Sequence, residues 1–268
     1  FGPDGERIDT VLDEMPGFER EAKFATRKLL KEKIREAKDL EIVGEFSANV
    51  GEVISGIVQQ GKEADTIYVS LGKVEGKIPP HEQVKTESFK HGDRIKAFVV
   101  DVKQGMRGPE ITLSRTHPAF VKMLFSIEAP EIKDRVVEIV GIAREAGART
   151  KLSVRSHRSG VSAKGALIGP VGARAKAVMD ELHGEKIDII DFSDDPAVYV
   201  GNALAPARVT KVEIVDLETK SAKVTVPDFQ LSLAIGKDGQ NARLAARLTQ
   251  WRIDIHSDTA SPTENPAS

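Results

Sequence analysis

The residues with the clearest capacity for chemistry form two short turns, each with a pair of glycines separated by two residues. The turns are Gly169-Pro170-Val171-Gly172 and Gly236-Lys237-Asp238-Gly239. Each follows an Ile and precedes a helical pattern with cations, and its second glycine lies 15 or 14 residues before an Ile-Asp-Ile tripeptide. Two other Gly-x-x-Gly stretches occur in loop-like sequence without this context. The repeated surroundings indicate that the two turns do the same work.

Such a turn is suited to holding a phosphate of a nucleic-acid backbone. Glycine has no Cβ, so a phosphate can approach the main chain closely. The helix that follows presents unpaired backbone N–H groups and the positive end of its dipole. Single-stranded RNA is bound in this way by GXXG loops, which clamp about four nucleotides. The alternative is a helix–turn–helix whose glycines only permit close packing, but that alternative does not require cations after both turns.

The two turns lie within a repeated α-β-β-α-α-β pattern. The first copy is predicted over residues 117–192 and the second over residues 193–257. In each copy a helix begins at a proline, two strands follow, and the glycine turn separates two helices before a last strand. Only Asp191–Asp195 separates the copies, so we expect them to pack as one rigid platform.

A different pattern precedes the repeated units. Residues 44–116 contain five short β-rich runs punctuated by glycines, which is typical of a small closed barrel. Residues 1–43 predict a loop and then a charged connector helix from Gly17 to about Lys38, and residues 258–268 predict a disordered tail. The chain begins with Phe1 rather than Met, which predicts that a segment is missing upstream. The aromatic residues of the barrel are Phe46, Tyr68, Phe89 and Phe98, and most of them are expected to fill its core. The barrel is therefore expected to be a weak, auxiliary RNA surface or a spacer.

The distribution of charge also points to a polyanion. The chain carries 39 Lys and Arg against 41 Asp and Glu, yet between residues 144 and 176 only Glu145 opposes a run of cations. This basic patch is a candidate nucleic-acid surface, and a solvated loop face is the alternative. It consists of Arg144, Arg149, Lys151, Arg155, Arg158, Lys164, Arg174 and Lys176.

Composition and motifs argue against several classes of protein. The absence of Cys excludes disulfide scaffolds and thiolate metal sites, and the six His are scattered. No apolar run reaches the roughly 18 residues of a membrane helix. No HExxH, nucleophile elbow or Walker loop occurs, and neither glycine turn ends in Gly-Lys-Ser/Thr. We therefore predict no catalytic residue, no metal site and no cofactor.

Longer motifs carry a family resemblance. Gly51–Gly56 and Ile67–Gly72 are similar to the OB-fold RNA-binding repeat first named for a ribosomal small-subunit protein, and the repeated units are similar to KH domains of the bacterial topology. Arg115–Pro118 and Pro227–Ile255 are the most specific motifs. Over about residues 18–257 the chain resembles the NusA family of bacterial transcription elongation factors. The resemblance implies a five-stranded OB-type barrel followed by two α/β KH domains, with an N-terminal connector helix.

The resemblance also implies which residues bind RNA. Both glycine turns would clamp the backbone, and Gln240 and Asn241 would reach base edges while the cations meet phosphates. Asp238 would point away or cap the next helix. The flanking contacts would be Arg174, Lys176, Lys186, Gln240, Asn241, Arg243 and Arg252.

In function, members of this family modulate RNA polymerase pausing, termination and antitermination. They hold extended nascent RNA across both KH units, including ribosomal RNA leaders. The implied partners are therefore single-stranded RNA, RNA polymerase and other antitermination factors, in the cytoplasm and without a membrane. The polymerase-binding N-terminal domain would be represented only by its last helical part, within residues 1–43.

Three other functions remain open at this point. Cap subunits of the exosome and polynucleotide phosphorylase also combine such a barrel with a KH unit, so an accessory subunit of an RNA-degrading complex is an alternative. Two tandem KH units after the barrel argue against it. A protein-interaction scaffold would use the glycine turns only for packing, and an enzyme would need a catalytic constellation that the motifs do not supply.

Overall fold

The computed structural model describes residues 18–61, 65–106 and 108–259. The loop predicted over residues 1–17 and most of the predicted tail lie outside these ranges. In the part of the chain that is described, no helix is long and apolar enough to cross a membrane.

The first element of the described residues is one long helix, α1, Phe18–Ser47. It continues well past the predicted end near Lys38 because its last turns are anchored on the barrel. Phe46 is buried in the barrel core, and Ile42 packs against the same cluster. Farther toward the N-terminus its apolar side chains are exposed, Phe24 to 72% and Leu30 to 59%. Among the described residues, the C-terminal part of α1 is therefore the part that packs on the barrel core.

A closed five-stranded barrel follows, with strand order β1-β2-β3-β5-β4. All neighbours pair antiparallel except β3 and β5. Alternate residues point inward, and Val69, Val99, Ile111 and Leu113 fill the interior. The strands are β1 Val53–Gln59, β2 Ile67–Ser70, β3 Glu75–Ile78, β4 Arg94–Gly105 and β5 Gly108–Ser114.

The first α/β unit contains a three-stranded sheet in the order β6-β7-β8. Strands β6 and β7 form an antiparallel hairpin, and β8 joins β7 in parallel after the helical segment. Its elements are α2 Pro118–Glu128, α3 Pro130–Lys133, β6 Val137–Glu145, β7 Arg149–Ser156, α4 Ala163–Ile168, α5 Ala173–Glu181 and β8 Lys186–Asp191.

The second α/β unit repeats this arrangement, with a sheet in the order β9-β10-β11. Again the first two strands are antiparallel and the last is parallel to the middle one. The predicted fold class, an OB-type barrel followed by two KH-type units, is confirmed. The elements are α6 Pro196–Ala203, β9 Lys211–Asp216, β10 Ser221–Val226, α7 Asp228–Ile235, α8 Gln240–Thr249 and β11 Arg252–Ser257.

The barrel is joined to the first unit through the buried guanidinium of Arg115. It donates to Glu87 Oε1 at 2.6 Å and to the Lys96 carbonyl at 2.7 Å, both in the barrel segment. It also donates to the backbone carbonyl of Glu181 at 2.8 Å, at the end of α5. The side chains of Arg115 and Glu87 are 2% and 3% exposed. One buried cation therefore bridges the two domains.

The two α/β units share an apolar interface. Ala143 and Ile190, which belong to the sheet of the first unit, are part of the hydrophobic cluster of the second. The hydroxyl of Tyr199 on α6 donates to Ser153 Oγ on β7 at 2.9 Å. The buried Lys151 ammonium donates to Asp188 in its own unit and to the Ala205 carbonyl in the next. The units accordingly pack against one another along the sheet of the first unit, β6 to β8, as the short linker predicts.

Replacing Arg115 by Met tests the barrel junction. The variant leaves the Glu87 carboxylate buried without its cation, so we expect a loss of about 3–5 kcal/mol in the free energy of unfolding. Urea denaturation followed by circular dichroism measures this.

The matched control is Lys73→Met, since the Lys73–Glu45 pair is 70% and 49% exposed. An exposed pair contributes at most about 1 kcal/mol. Equal, small effects of both variants would show that Arg115 does not hold the junction.

Candidate nucleic-acid interface

Both glycine turns adopt the same backbone conformation between two helices. The first glycine has φ +72° and ψ 177° at Gly169, and φ +77° and ψ 171° at Gly236. The second glycine is left-handed in each turn, with φ +78° at Gly172 and +73° at Gly239. Two independent stretches of chain thus build one local geometry, which supports the inference from their repeated sequence context.

The two glycines of each turn are required for different reasons. The first occupies a region of φ and ψ that is essentially restricted to glycine. A Cβ on Gly236 would also lie 2.8 Å from the backbone nitrogen of Asn241. Around Gly172 and Gly239 there is open space, so only their left-handed conformation favours glycine.

The third residue of each turn is also left-handed, although it is not glycine. Val171 has φ +53° and Asp238 has φ +51°. A β-branched residue is a clear outlier in this region, and Val171 is fully exposed, with no packing that supports the conformation. Strained backbone conformations of this kind cluster at functional sites, where the strain is part of how the site works.

The helices that follow the turns begin without side-chain caps. The N-caps of α5 and α8 are Gly172 and Gly239, and neither start receives a side-chain hydrogen bond. The first backbone N–H of each helix bonds within the turn, that of Ala173 to the Pro170 carbonyl and that of Gln240 to the Lys237 carbonyl. The N–H groups that follow have no side-chain cap and are the ones that can meet an anion. Lys237 and Asp238 are exposed on the outer side of the second turn, and Asp238 does not cap α8.

Two of the predicted RNA contacts instead stabilise the turns, through side-chain hydrogen bonds to nearby backbone carbonyls, and are called braces below. Arg174 and Asn241 occupy equivalent positions, two residues after the second glycine. Arg174 donates to the Ala166 carbonyl at 2.6 Å and to Glu131 at 2.8 Å. Asn241 is 1% exposed, and its amide donates to the carbonyls of Leu204 and Ala234. The prediction that Asn241 reaches a base edge is wrong because its amide group is buried.

Two further predicted contacts are engaged with the first unit. Gln240 Nε2 donates to Glu145 Oε2 at 2.9 Å, and Arg243 Nε donates to Glu145 Oε1 at 2.7 Å. The Arg243 hydrogen bond holds the pKa of the Glu145 carboxyl below its usual range, with Gln240 and Arg247 adding to the effect. These side chains therefore meet a carboxylate of their own chain instead of standing free for RNA.

The remaining flanking cations stand free. Lys176, Lys186 and Arg252 are exposed, and no side-chain hydrogen bond or ion pair joins them to any residue within the described ranges. Their assignment as phosphate contacts stays a prediction.

The basic patch is largely neutralised by acids that are distant in sequence. The Arg144 and Glu185 side chains form a pair that is only 1% exposed on each side. Burial lowers the pKa of the Lys151 ammonium, although the nearby Asp188 carboxylate opposes this shift. Burial alone would raise the pKa of Asp188, but hydrogen bonds and charges from Arg149 and Lys151 outweigh it and hold that pKa low. The ion pairs are Arg144–Glu185, Arg149–Asp188, Lys151–Asp188, Arg155–Asp194 and Arg174–Glu131.

Three members of the patch keep an unmatched charge. Within the described ranges, Arg158, Lys164 and Lys176 form no ion pair. Glu145 is the only acid within the run itself, but the fold brings acids from residues 131 and 185–194 to it. The cationic surface is accordingly smaller than the sequence indicates.

The aromatic residues of the barrel do not form a stacking surface. Phe46, Tyr68 and Phe98 are buried, as expected for core residues. Phe89 lies at the junction, with its ring centre 5.3 Å from that of His183. Since bases stack on exposed aromatic rings, the barrel offers little of this kind of contact.

A cleft of about 500 Å³ lies where the two α/β units meet. Lys164 on α4 and Ile189 on β8 line it from the first unit, and Asn202 and Lys211 line it from the second. Sequence reasoning missed this cleft because its residues come from four separate elements. It is partly apolar, and its polar walls carry the Asn202 amide, two lysine ammonium groups and the Asp191 carboxylate.

The distinct roles of the paired glycines can be tested by substitution. Gly236→Ala forces a contact with Asn241 in a glycine-only conformation, so we expect a loss of about 3 kcal/mol or more in stability. A Cβ at Gly239 would have no atom within 4 Å. Gly239→Ala should therefore lower the free energy of unfolding by only about 1–2 kcal/mol, the cost of placing an L-residue in the left-handed conformation. Thermal unfolding of the two variants measures the difference, and equal losses would contradict this account.

Comparison with known proteins extends the geometric result. The profile of the S1 RNA binding domain matches residues 47–114, that of the NusA-like first KH domain matches residues 115–192, and that of the NusA-like second KH domain matches residues 196–262. These profiles follow one another in the order of the barrel and the two α/β units.

Whole-chain relatives give the same answer, and each bears the name transcription termination/antitermination protein NusA. The protein of Mycobacterium tuberculosis is 53% identical over 265 residues, covering 96% of this chain and 76% of the relative. That of Bacillus subtilis is 49% identical over 242 residues, covering 90% and 65%. That of Thermus thermophilus is 41% identical over 234 residues, covering 87% and 60%. The chain therefore belongs to the NusA family of transcription termination/antitermination proteins.

Proposed function

We propose that this chain holds single-stranded RNA in an extended form across its two glycine turns, and that the RNA is the nascent transcript. The observation that carries the proposal is the pair of glycine turns with the same backbone geometry, each before a helix start without a side-chain cap, on two units that share an apolar interface. An RNA-binding role within transcription termination and antitermination agrees with the family and with all three domain profiles.

Each turn supplies the physical elements for one phosphate. The missing Cβ atoms allow close approach, the following helix contributes backbone N–H donors, and the helix dipole favours negative charge. Phosphate contacts of this kind carry no sequence information. We infer that bases would be read in the cleft between the units, which Lys164 of α4 and Asn202 of α6 line.

The two turns differ in how they meet the charge of RNA. The first contains Pro170, which has no backbone N–H, and has no cation within the turn. Arg158, Lys164 and Lys176 of the same unit, which pair with no acid among the described residues, would compensate. The second has Lys237 within the turn. We infer that phosphate binding relies on flanking side chains in the first unit and on the turn itself in the second.

The wider role follows from the family. We propose that the chain acts without catalysis in the cytoplasm and modulates pausing, termination and antitermination together with RNA polymerase and other antitermination factors, including on ribosomal RNA leaders. The NusA-like character of both KH units favours this role over an accessory subunit of an RNA-degrading complex.

The central experiment measures equilibrium binding to a short A-rich single-stranded RNA at several salt concentrations. The double variant Val171→Asp with Lys237→Asp places a carboxylate in each turn. We expect at least about tenfold weaker binding, and a salt dependence that falls by roughly 0.7 for each phosphate that the variant no longer binds.

The single variant Lys237→Asp has a matched control in Lys223→Asp, which also lowers the net charge by two, at an exposed position of strand β10. It should weaken binding far less than the change at Lys237. Unchanged binding in the double variant would mean that the turns are only structural, and no binding by the unmodified chain to any single strand would refute the RNA proposal.

A further inference from the structure

One carboxylate of the first unit reaches across to the helix that carries the second glycine turn. Glu145 is the last residue of β6, and its side chain is 22% exposed. It accepts from Gln240 Nε2 at 2.9 Å and from Arg243 Nε at 2.7 Å, and Arg247 lies 3.8 Å away. These three partners are spaced three and four residues apart, so they line one face of α8.

Arg243 continues this connection into the turn. Its Nη1 group donates to the Asp238 carbonyl at 3.1 Å. Asp238 is the strained, left-handed residue of the turn. A continuous path of hydrogen bonds therefore runs from a strand end in the first unit, through Arg243, to the backbone of the turn in the second.

The first turn lacks an equivalent connection within the described ranges. Lys176 occupies the position of Arg243, four residues after the second glycine, and it is exposed without a partner among the described residues. The connection thus belongs to the inter-unit contact and is not a general requirement for building such a turn.

The charge balance distinguishes two roles for Glu145. A carboxylate beside an RNA site repels phosphates, so its removal ordinarily strengthens binding. A carboxylate that fixes the turn has the opposite effect, because its removal lets Arg243 and the Asp238 carbonyl move. The Glu145 carboxylate accepts hydrogen bonds from Gln240 and Arg243 and lies near the Arg247 guanidinium. These partners already compensate most of the repulsion that Glu145 would exert on a phosphate.

We propose that Glu145 is a positioning residue for RNA binding, which holds the second glycine turn in its binding conformation from the first unit. The proposal rests on the function proposed above. Glu145 itself does not touch RNA, and Gln240 and Arg243 act chiefly through this contact.

The sign of a single substitution tests the proposal. We expect Glu145→Ala to weaken binding of an RNA that spans both turns by about three- to tenfold, although the variant is more positive. Glu145→Gln keeps the size of the side chain and a carbonyl acceptor for Arg243, so its loss should be smaller. The matched control is Glu138→Ala on the same strand, whose carboxylate pairs with His157 and is 52% exposed. It should leave binding unchanged or slightly stronger, and a gain in both Ala variants would overturn the proposal.

A double-mutant cycle then locates the effect. In a Lys237→Asp background, where the second turn is already impaired, Glu145→Ala should cause no further loss. In a Val171→Asp background it should retain its full effect. Equal losses in both backgrounds would refute action through the second turn.

Hydrogen exchange without RNA separates this proposal from the proposed function. Glu145→Ala should speed amide exchange over residues 236–243 while the sheet of the second unit keeps its protection. If the unmodified chain bound no RNA, the proposed function would fail, and unchanged exchange in this segment would independently refute the positioning role.

Discussion

Charges that are taken out of water must be met by fixed partners, and this constraint determines how the three domains are arranged. The side chains of Arg115, Arg144 and Lys151 are 2%, 1% and 0% exposed. A buried cation tolerates little displacement of its acceptors, because each broken hydrogen bond leaves a desolvated charge. Arg115 takes its acceptors from the barrel and from α5, and Lys151 takes them from both α/β units. The first α/β unit is consequently held on both sides.

The two glycine turns show how one geometry arises from different side chains. Arg174 and Asn241 differ in size and charge, yet each reaches back to a carbonyl near the end of the preceding helix. What is common is the need to satisfy that carbonyl while the chain reverses. The side chain at this position then lies where a Cβ on the first glycine would stand, which makes the glycine and its brace interdependent.

Much of this architecture could be predicted from sequence, because it depends on local patterns. The alternation of the barrel strands, the proline starts of α2 and α6, and the repeated glycine turns are all written within a few residues. The extent of α1 could not, since Phe46 becomes part of the helix only through its burial in the barrel. The neutralisation of much of the basic patch could not be predicted for a related reason: Glu185 and Asp188 lie far along the chain from Arg144 and Arg149 but pair with them in the fold. Asn241 was misassigned because its residue type suits base recognition, whereas only the fold reveals its burial.

The shared core of the two α/β units has a thermodynamic consequence for any ligand that contacts both. Once RNA is bound at one turn, binding at the other becomes intramolecular, and its effective concentration depends on how well the ligand spans a fixed distance. Because Ala143 and Ile190 of the first unit pack in the hydrophobic cluster of the second, the distance between the two turns can vary little. If RNA contacts both turns as proposed, the intervening nucleotides must span that distance, so the number of nucleotides between the two bound phosphates becomes a selectable property of the RNA, independent of their base sequence.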